Sequence, residues 1–92
     1  MDYEWDEVKR QSNLRKHGLD FMDADLVFEA SIKVTVDATH ADDDRYADLA
    51  EVNGRVWVLM LVYTLRQQTV CCISLRVASR RERKLYDEAK DR

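Results

Sequence analysis

The residues best suited to chemistry form a basic segment near the C-terminus. Between Arg76 and Lys84 the chain carries five basic residues and one acid, Glu82. Ser79 and Glu82 have the S-x-x-E spacing of a capping box, which predicts that a helix begins here. A helix start attracts anions, and the planar guanidinium of an arginine such as Arg80 binds two phosphate oxygens at once. The segment indicates a phosphate site, although its arginines could equally pair with nearby surface acids.

A second candidate is the pair Lys16 and His17. Histidine changes charge near neutral pH and suits proton transfer, while lysine can stabilise negative charge on a phosphate. The same two residues in the last turn of a helix could simply complement the helix dipole. His40 lies near the aspartates at 42–44, but their spacing matches no metal-ligand pattern. The sequence therefore predicts no metal and no cofactor.

Aromatic residues could stack on an RNA base or fill the core. Core filling is predicted for Trp57, and for Tyr63 by alternation. Tyr86 follows the basic turn of the last helix, so it is the better candidate for contact with RNA.

The strand predicted over 70–78 leads into this basic helix. Alternation puts its even-numbered residues on one face and its odd-numbered residues on the other. The odd-numbered face, apart from Thr69 just before it, is apolar and is predicted to face the core. The even-numbered face then carries Ser74 and Arg76 outward. A phosphate site is therefore expected at the corner between strand and helix.

Length and charge limit what the chain can be. Ninety-two residues predict a single domain over 1–92. The net charge is −3, but residues 20–51 hold ten acids and two bases, so the remainder is basic. A basic cleft can therefore coexist with an acidic whole. The acidic middle could be a solvated face or a site for a basic partner.

The sequence predicts neither a membrane-spanning segment nor a secretory signal. Its longest apolar run, 56–63, is eight residues, whereas a membrane span needs about 20. The N-terminus is acidic and lacks an apolar signal region. Cys71 and Cys72 are neighbours on a predicted strand, so they point to opposite faces and do not pair. We predict a cytoplasmic protein with two reduced thiols.

Periodicity predicts an α+β fold in which helices pack on a curled antiparallel sheet of about four strands. Asp6 and Asp20 are predicted caps of two N-terminal helices, with Gly18 ending the first. Asn53-Gly54 predicts a tight hairpin turn. The predicted helices cover 7–17, 21–29 and 79–90, and the predicted strands cover 31–36, 45–52, 55–64 and 70–78. The short segment 3–5 could be a small edge strand or an irregular lead-in.

Three segments together resemble the BrnT toxins. They are E-W-D-E-V-K-R-Q-S-N-L-R-K-H-G-L-D-F at 4–21, D-D-R-Y at 43–46, and I-S-L-R-V-A-S-R-R-E-R-K-L-Y at 73–86. The resemblance spans nearly the whole chain in one order. It implies a RelE-like fold and a toxin of a type II toxin–antitoxin module.

The resemblance also implies an activity and partners. Such toxins are metal-independent endoribonucleases in which the ribose 2′-OH attacks the adjacent phosphorus, and they inhibit translation. Their partner is an antitoxin with a ribbon-helix-helix DNA-binding part. The complex of the two binds operator DNA through the antitoxin and represses its own operon.

The basic residues that match the family's motifs are Lys16 and His17 in K-H-G, Arg45 in the middle segment, and Arg76, Arg80, Arg81 and Arg83 in the closing segment. We predict that Lys16, Arg76 and Arg80 contact phosphate and stabilise the transition state. We predict proton transfer by His17. The others, with Tyr86, are predicted to bind RNA.

The chain departs from the family on its last strand. Thr69, Cys71 and Val77 stand where the family often has arginines. The missing charge motivates an alternative: a non-catalytic module that acts with the antitoxin as a transcriptional co-repressor.

Overall fold

The computed structural model describes residues 1–52 and 57–90. Its strands are β1 (Asp2–Glu4), β2 (Val34–Asp37), β3 (Tyr46–Glu51), β4 (Val58–Arg66) and β5 (Thr69–Val77). Its helices are α1 (Glu7–His17), α2 (Asp25–Phe28) and α3 (Arg80–Lys90), with a 3₁₀ turn at Phe21–Asp23 before α2. No helix among these residues is long and apolar enough to cross a membrane.

The strands form one sheet in the order β1-β5-β4-β3-β2. Strands β2 to β5 are an antiparallel meander, whereas β1 pairs in parallel with β5, from Asp2 opposite Thr69 to Glu4 opposite Cys71. The predicted α+β class is confirmed. The sheet is mixed and has five strands rather than about four, because a three-residue strand is too short to show a period in sequence.

Apolar residues pack on both faces of the sheet. One cluster joins Phe21, Ala24 and Val27 to inward residues of β4 and β5 such as Leu61. The other packs Tyr86 of α3 against residues of β3 and β4. Neighbouring residues of a strand belong to different clusters, so α3 and the N-terminal helices cover opposite faces.

The predicted second helix over 21–29 is instead a 3₁₀ turn followed by the four-residue α2. The Asp20 side chain accepts the Met22 N–H, and the Ala24 N–H bonds the Phe21 carbonyl three residues back. The backbone bond from Ala24 to Phe21, and that from the Asp23 N–H to the Asp20 carbonyl, span i to i+3 and tighten the first turn. Phe21, Ala24 and Val27 are buried and form the side of this segment that faces the core.

A β-bulge in β5 overturns the predicted assignment of its two faces. Tyr63 pairs with Cys72 while Val62 pairs with Ser74, so one residue of β5, Ile73, is extra. A bulge of this kind shifts the alternation by one residue. Even-numbered Val70 and Cys72 are therefore buried together with odd-numbered Leu75. The prediction that the whole odd-numbered face is core is wrong.

The other predicted elements shift by a few residues at their ends, as the bounds above show. The predicted Asn53-Gly54 turn and the first two residues of the strand predicted over 55–64 lie outside the described residues. The turn between β4 and β5 has Gln67 in the left-handed region, at φ 58°. Helix α1 begins after its predicted cap, Asp6, and ends at Gly18, whose φ of 70° and N–H bond to the Leu14 carbonyl form the predicted C-terminal cap.

Candidate functional site

The corner between β5 and α3 contains the predicted capping box. The Ser79 N–H donates to Glu82 Oε1 at 2.8 Å, and the Glu82 N–H donates to Ser79 Oγ at 3.2 Å. Arg76 adds a two-pronged ion pair, with Nη1 and Nη2 at 2.8 and 2.7 Å from the two Glu82 oxygens. The guanidinium predicted to grip phosphate therefore lies at the expected corner but binds the capping glutamate.

This ion pair lowers the pKa of Glu82. The hydrogen bonds from Arg76, helped by the Ser79 N–H, lower the pKa of Glu82 from 4.5 to about 2. When the pKa of a carboxyl group is lower in the folded than in the unfolded protein, the group stabilises the fold at any pH above its unfolded-state pKa. That stabilisation is lost as the pH falls through the folded-state pKa.

We expect Glu82→Gln to remove part of the acid sensitivity of the fold. Glutamine can keep the capping box, so the variant isolates the ion pair. The free energy of unfolding of the parent should fall by on the order of 1–3 kcal/mol between pH 4.5 and 2 because of Glu82. Urea titrations across this pH range, compared for parent and variant, measure the difference.

Glu88→Gln is the matched control, because Glu88 is exposed on the same helix. Its pH profile should follow that of the parent. An unchanged profile for Glu82→Gln would contradict the stabilising role of the pair.

The residues predicted for catalysis on α1 face the edge of β5. Asn13 fixes the helix there: its Nδ2 donates to the carbonyls of Leu75 and Leu19 at 2.8 and 3.0 Å, and its Oδ1 accepts the Leu75 N–H at 3.1 Å. The amide thus pairs with β5 as a neighbouring strand would. Beside it, Lys16 and His17 line a cavity of about 220 Å³. The rest of its lining is Lys9, Ser12, Asn13, Ile73 and Ser74.

Two largely apolar cavities meet at Trp57 and Val77, one lined by His17 and the other by the start of α3. These cavities, of about 440 and 320 Å³, share Trp57 and Val77, and we call them together the Trp57 trough. His17 lines one end, and Arg80 and Arg83 line the other. His17 and Arg80 therefore line neighbouring but separate cavities: the first includes Leu59 and the second Val58, and these two residues face opposite sides of the sheet.

Arg45 lies in a different, polar cavity. Its Nε is 2.9 Å from Asp43 Oδ2, and its neighbours in the lining include Lys9 and Arg66. Lys9 also lines the cavity of Lys16 and His17. Arg45 is thus linked to the α1 cavity through Lys9 and is not part of the cluster at α3.

The predictions for two aromatic residues are wrong. Tyr86 is 2% exposed and packs between α3 and the sheet, so its ring is not available to stack on RNA. Trp57, predicted to fill the core, is 58% exposed at the head of β4. Tyr63 is buried, as predicted.

The remaining predicted residues lie on the outside of α3. Arg81 is exposed. Arg83 Nε is 3.7 Å from Asp87 Oδ2, one helical turn along. Neither shares a cavity with Lys16.

Sequence reasoning missed a buried charge on β3. Asp48 is fully buried and accepts hydrogen bonds from Lys33 Nζ and Thr35 Oγ1, both at 2.7 Å, and from the Tyr63 hydroxyl at 3.0 Å. Burial and this negative charge raise the pKa of Tyr63. A lone acid inside a run of apolar strand residues was the available signal.

In 1–52 and 57–90, no three potential ligands among His, Cys, Asp and Glu cluster to hold a metal ion.

Comparisons with known proteins agree on one family. Residues 5–82 match the family model described as the ribonuclease toxin BrnT of type II toxin–antitoxin systems. The crystal structure of the Brucella abortus ribonuclease toxin BrnT, at 1.1 Å resolution, is 38% identical, with a TM-score of 0.67, over 87% of this chain and 99% of that one. No curated protein matches the chain. The family match covers most of the chain, which therefore belongs to the BrnT family of ribonuclease toxins of type II toxin–antitoxin systems.

Proposed function

We propose that this chain is an endoribonuclease that cleaves RNA without a metal ion. The 2′-OH of a ribose loses its proton and attacks the adjacent phosphorus, the P–O5′ bond breaks, and the 5′ oxygen takes up a proton. The products are a 2′,3′-cyclic phosphate and a 5′-hydroxyl end. The protein's task is to hold the phosphate, stabilise its added negative charge and move the proton.

One observation supports the proposal: a proton carrier and a permanent cation line two neighbouring cavities that share Trp57 and Val77. His17 lines one end of the Trp57 trough and Arg80 the other, and Lys16 lies beside His17 in the α1 cavity. In the proposal, His17 transfers the proton. Lys16 and Arg80 stabilise charge on the phosphate, because lysine and arginine are the cationic side chains that bind phosphate.

Arg76 has a modified role in this proposal. Its guanidinium is bound by Glu82 at both prongs, so a phosphate contact requires that this pair open. While the pair is closed, Arg76 positions the start of α3 and with it Arg80. Arg45 and Arg81 are proposed to contact the RNA backbone outside the cleavage site.

The experiment is cleavage of single-stranded RNA by the purified chain in the presence of EDTA. Cleavage that leaves cyclic phosphate ends supports both the activity and the route. RNA that stays intact with EDTA but is cut after a divalent metal is added would overturn the metal-independent route.

Arg80→Ala is expected to slow cleavage in this assay by about tenfold or more. The loss of one charge-assisted contact costs about 1.5–3 kcal/mol, and about 1.4 kcal/mol corresponds to tenfold in rate. Arg15→Ala is the matched control, since Arg15 is exposed on α1 and its replacement removes the same charge. Equal rates for parent and Arg80→Ala would remove Arg80 from the site.

The proposed setting follows the family. The partner is an antitoxin with a ribbon-helix-helix part, which neutralises the toxin and carries the complex to operator DNA. The proposed fold type is RelE-like and the proposed location is the cytoplasm, where the unpaired Cys71 and Cys72 would stay reduced.

A second candidate is a non-catalytic module that serves only as co-repressor with the antitoxin. Two observations favour it: Glu82 occupies Arg76, and no arginine stands at Thr69, Cys71 or Val77. Expression of the lone chain separates the two candidates. Growth arrest that the antitoxin reverses supports the ribonuclease, and harmless expression with tight antitoxin binding supports the module.

A further inference from the structure

We propose that Trp57 is a platform on which one base of the RNA substrate stacks while Arg80 holds a phosphate beside it. This inference rests on the proposed ribonuclease function and adds a contact that determines how its substrate is bound.

The first argument is the exposure of the indole. Trp57 is the one exposed aromatic residue among residues 1–52 and 57–90. The other aromatic side chains are buried or half-buried, and several pack edge-on against one another, as Trp5 does against Phe21. A large apolar ring that stays exposed forgoes the favourable free energy of burial. It therefore indicates a binding role more strongly than a single exposed aliphatic residue does.

The second argument is the surface around the indole. Val77, itself 41% exposed, lies with Trp57 in both halves of the trough. Together they form an apolar patch that nothing in the described chain covers. A nucleobase has flat apolar faces of similar size and stacks on aromatic rings without regard to its identity.

The third argument is the placement of charge. Arg80 and Arg83 line the same half of the trough as Trp57, next to Ser79 and Ala78. A nucleotide joins a flat base to an anionic phosphate, and this half of the trough offers an aromatic ring beside guanidinium groups. His17 lines the other cavity, which shares Trp57 and Val77 with this one, so a strand that continues past Trp57 would approach the proposed proton carrier.

A segment of a partner protein is the competing occupant, because the trough is largely apolar. The lone exposed indole and the adjacent arginines favour the nucleotide. An apolar protein segment can bind to such a surface without a cation at its edge and without a flat aromatic ring, whereas a nucleotide uses both.

The test measures binding separately from cleavage. The probe is a short single-stranded RNA methylated at every 2′ oxygen, which has no free 2′-OH to attack. A Trp5→Phe background leaves Trp57 as the sole tryptophan, and its fluorescence should be quenched when the probe binds. Trp57→Ala should weaken binding roughly 5- to 150-fold, from about 1–3 kcal/mol per stacked base, measured by the fluorescence anisotropy of an end-labelled copy of the probe. Trp57→Phe should keep most of the affinity.

Ile32→Ala is the matched control, because Ile32 is 65% exposed and lines neither half of the trough. It should bind the probe as the parent does. A probe with abasic residues tests the same point without any variant, and it should bind the parent more weakly by a similar factor.

The outcomes distinguish this inference from the proposed function. Quenching and base-dependent binding without cleavage of ordinary RNA would support the platform and refute the ribonuclease. Cleavage that Trp57→Ala leaves unchanged, or equal binding of abasic and intact probes, would overturn the platform alone. Loss of antitoxin binding in Trp57→Ala with unchanged RNA binding would also overturn it and assign the trough to the protein partner.

Discussion

Asp48→Ala is expected to lower the free energy of unfolding by about 3–5 kcal/mol, the usual cost of removing one partner of a buried charge pair. The carboxylate is fully buried and accepts three hydrogen bonds, from Lys33, Thr35 and Tyr63. Alanine would leave the Thr35 and Tyr63 hydroxyls without this acceptor, leave Lys33 with the Phe28 carbonyl alone, and open a cavity beside β3. Urea unfolding, monitored by tryptophan fluorescence, measures the change. The dependence of the free energy of unfolding on urea concentration should be the same for parent and variant.

Two further variants show whether the charge pair is responsible. Asp42→Ala removes an acid from the exposed loop and should change stability by less than about 0.5 kcal/mol. Adding Lys33→Met to Asp48→Ala should cost less than the sum of the single changes, because the pair is coupled. A loss below about 1 kcal/mol for Asp48→Ala would show that water replaces the carboxylate.

Asn13→Ala is expected to cost about 2–4 kcal/mol. The amide is 6% exposed and is the hydrogen-bond partner of both backbone groups of Leu75 and of the Leu19 carbonyl. Each buried backbone group left unpaired costs about 1–3 kcal/mol. Thermal and urea unfolding measure the loss, and proton exchange at the Leu75 amide should accelerate.

Asn13→Asp sharpens this test. Aspartate keeps an acceptor for the Leu75 N–H but directs a second oxygen at two carbonyl oxygens, so it should not rescue the fold. Gln11→Ala, on the exposed side of α1, is the control and should be near neutral. Full stability of Asn13→Asp would mean that donation by the amide contributes little.

Much of the architecture could be predicted because local signals agree with the final packing. Asp6 and Gly18 bound α1, and Ser79 with Glu82 begins α3, since these caps depend only on residues a few positions apart. The parallel pairing of β1 could not be predicted, because Glu4 meets Cys71 across 67 positions. The break in the second helix was hidden for a similar reason: Asp20, which caps its 3₁₀ turn, is held by Arg10 of α1.

The site was predictable in its residue types but less so in its geometry. The sequence identified the arginines at α3 and the pair Lys16 and His17. It did not indicate that Glu82 would occupy Arg76, because the same glutamate was already assigned to the cap. The exposure of Trp57 was misjudged because this residue belongs to the apolar run 56–63, and such a run favours a buried strand. Only the tertiary structure shows which end of that run lies at the surface.

The bulge in β5 has a consequence for how the chain can change in length. Ile73 is the extra residue, with Cys72 opposite Tyr63 and Ser74 opposite Val62. If Ile73 were deleted, Cys72 and Leu75 would stand two positions apart and still face the same side, with Ser74 between them on the other. The deletion would straighten the strand without exchanging its faces. Related sequences should therefore tolerate a gap at Ile73. A gap at Leu75 should not be tolerated, because Arg76 would then take the buried place of Leu75.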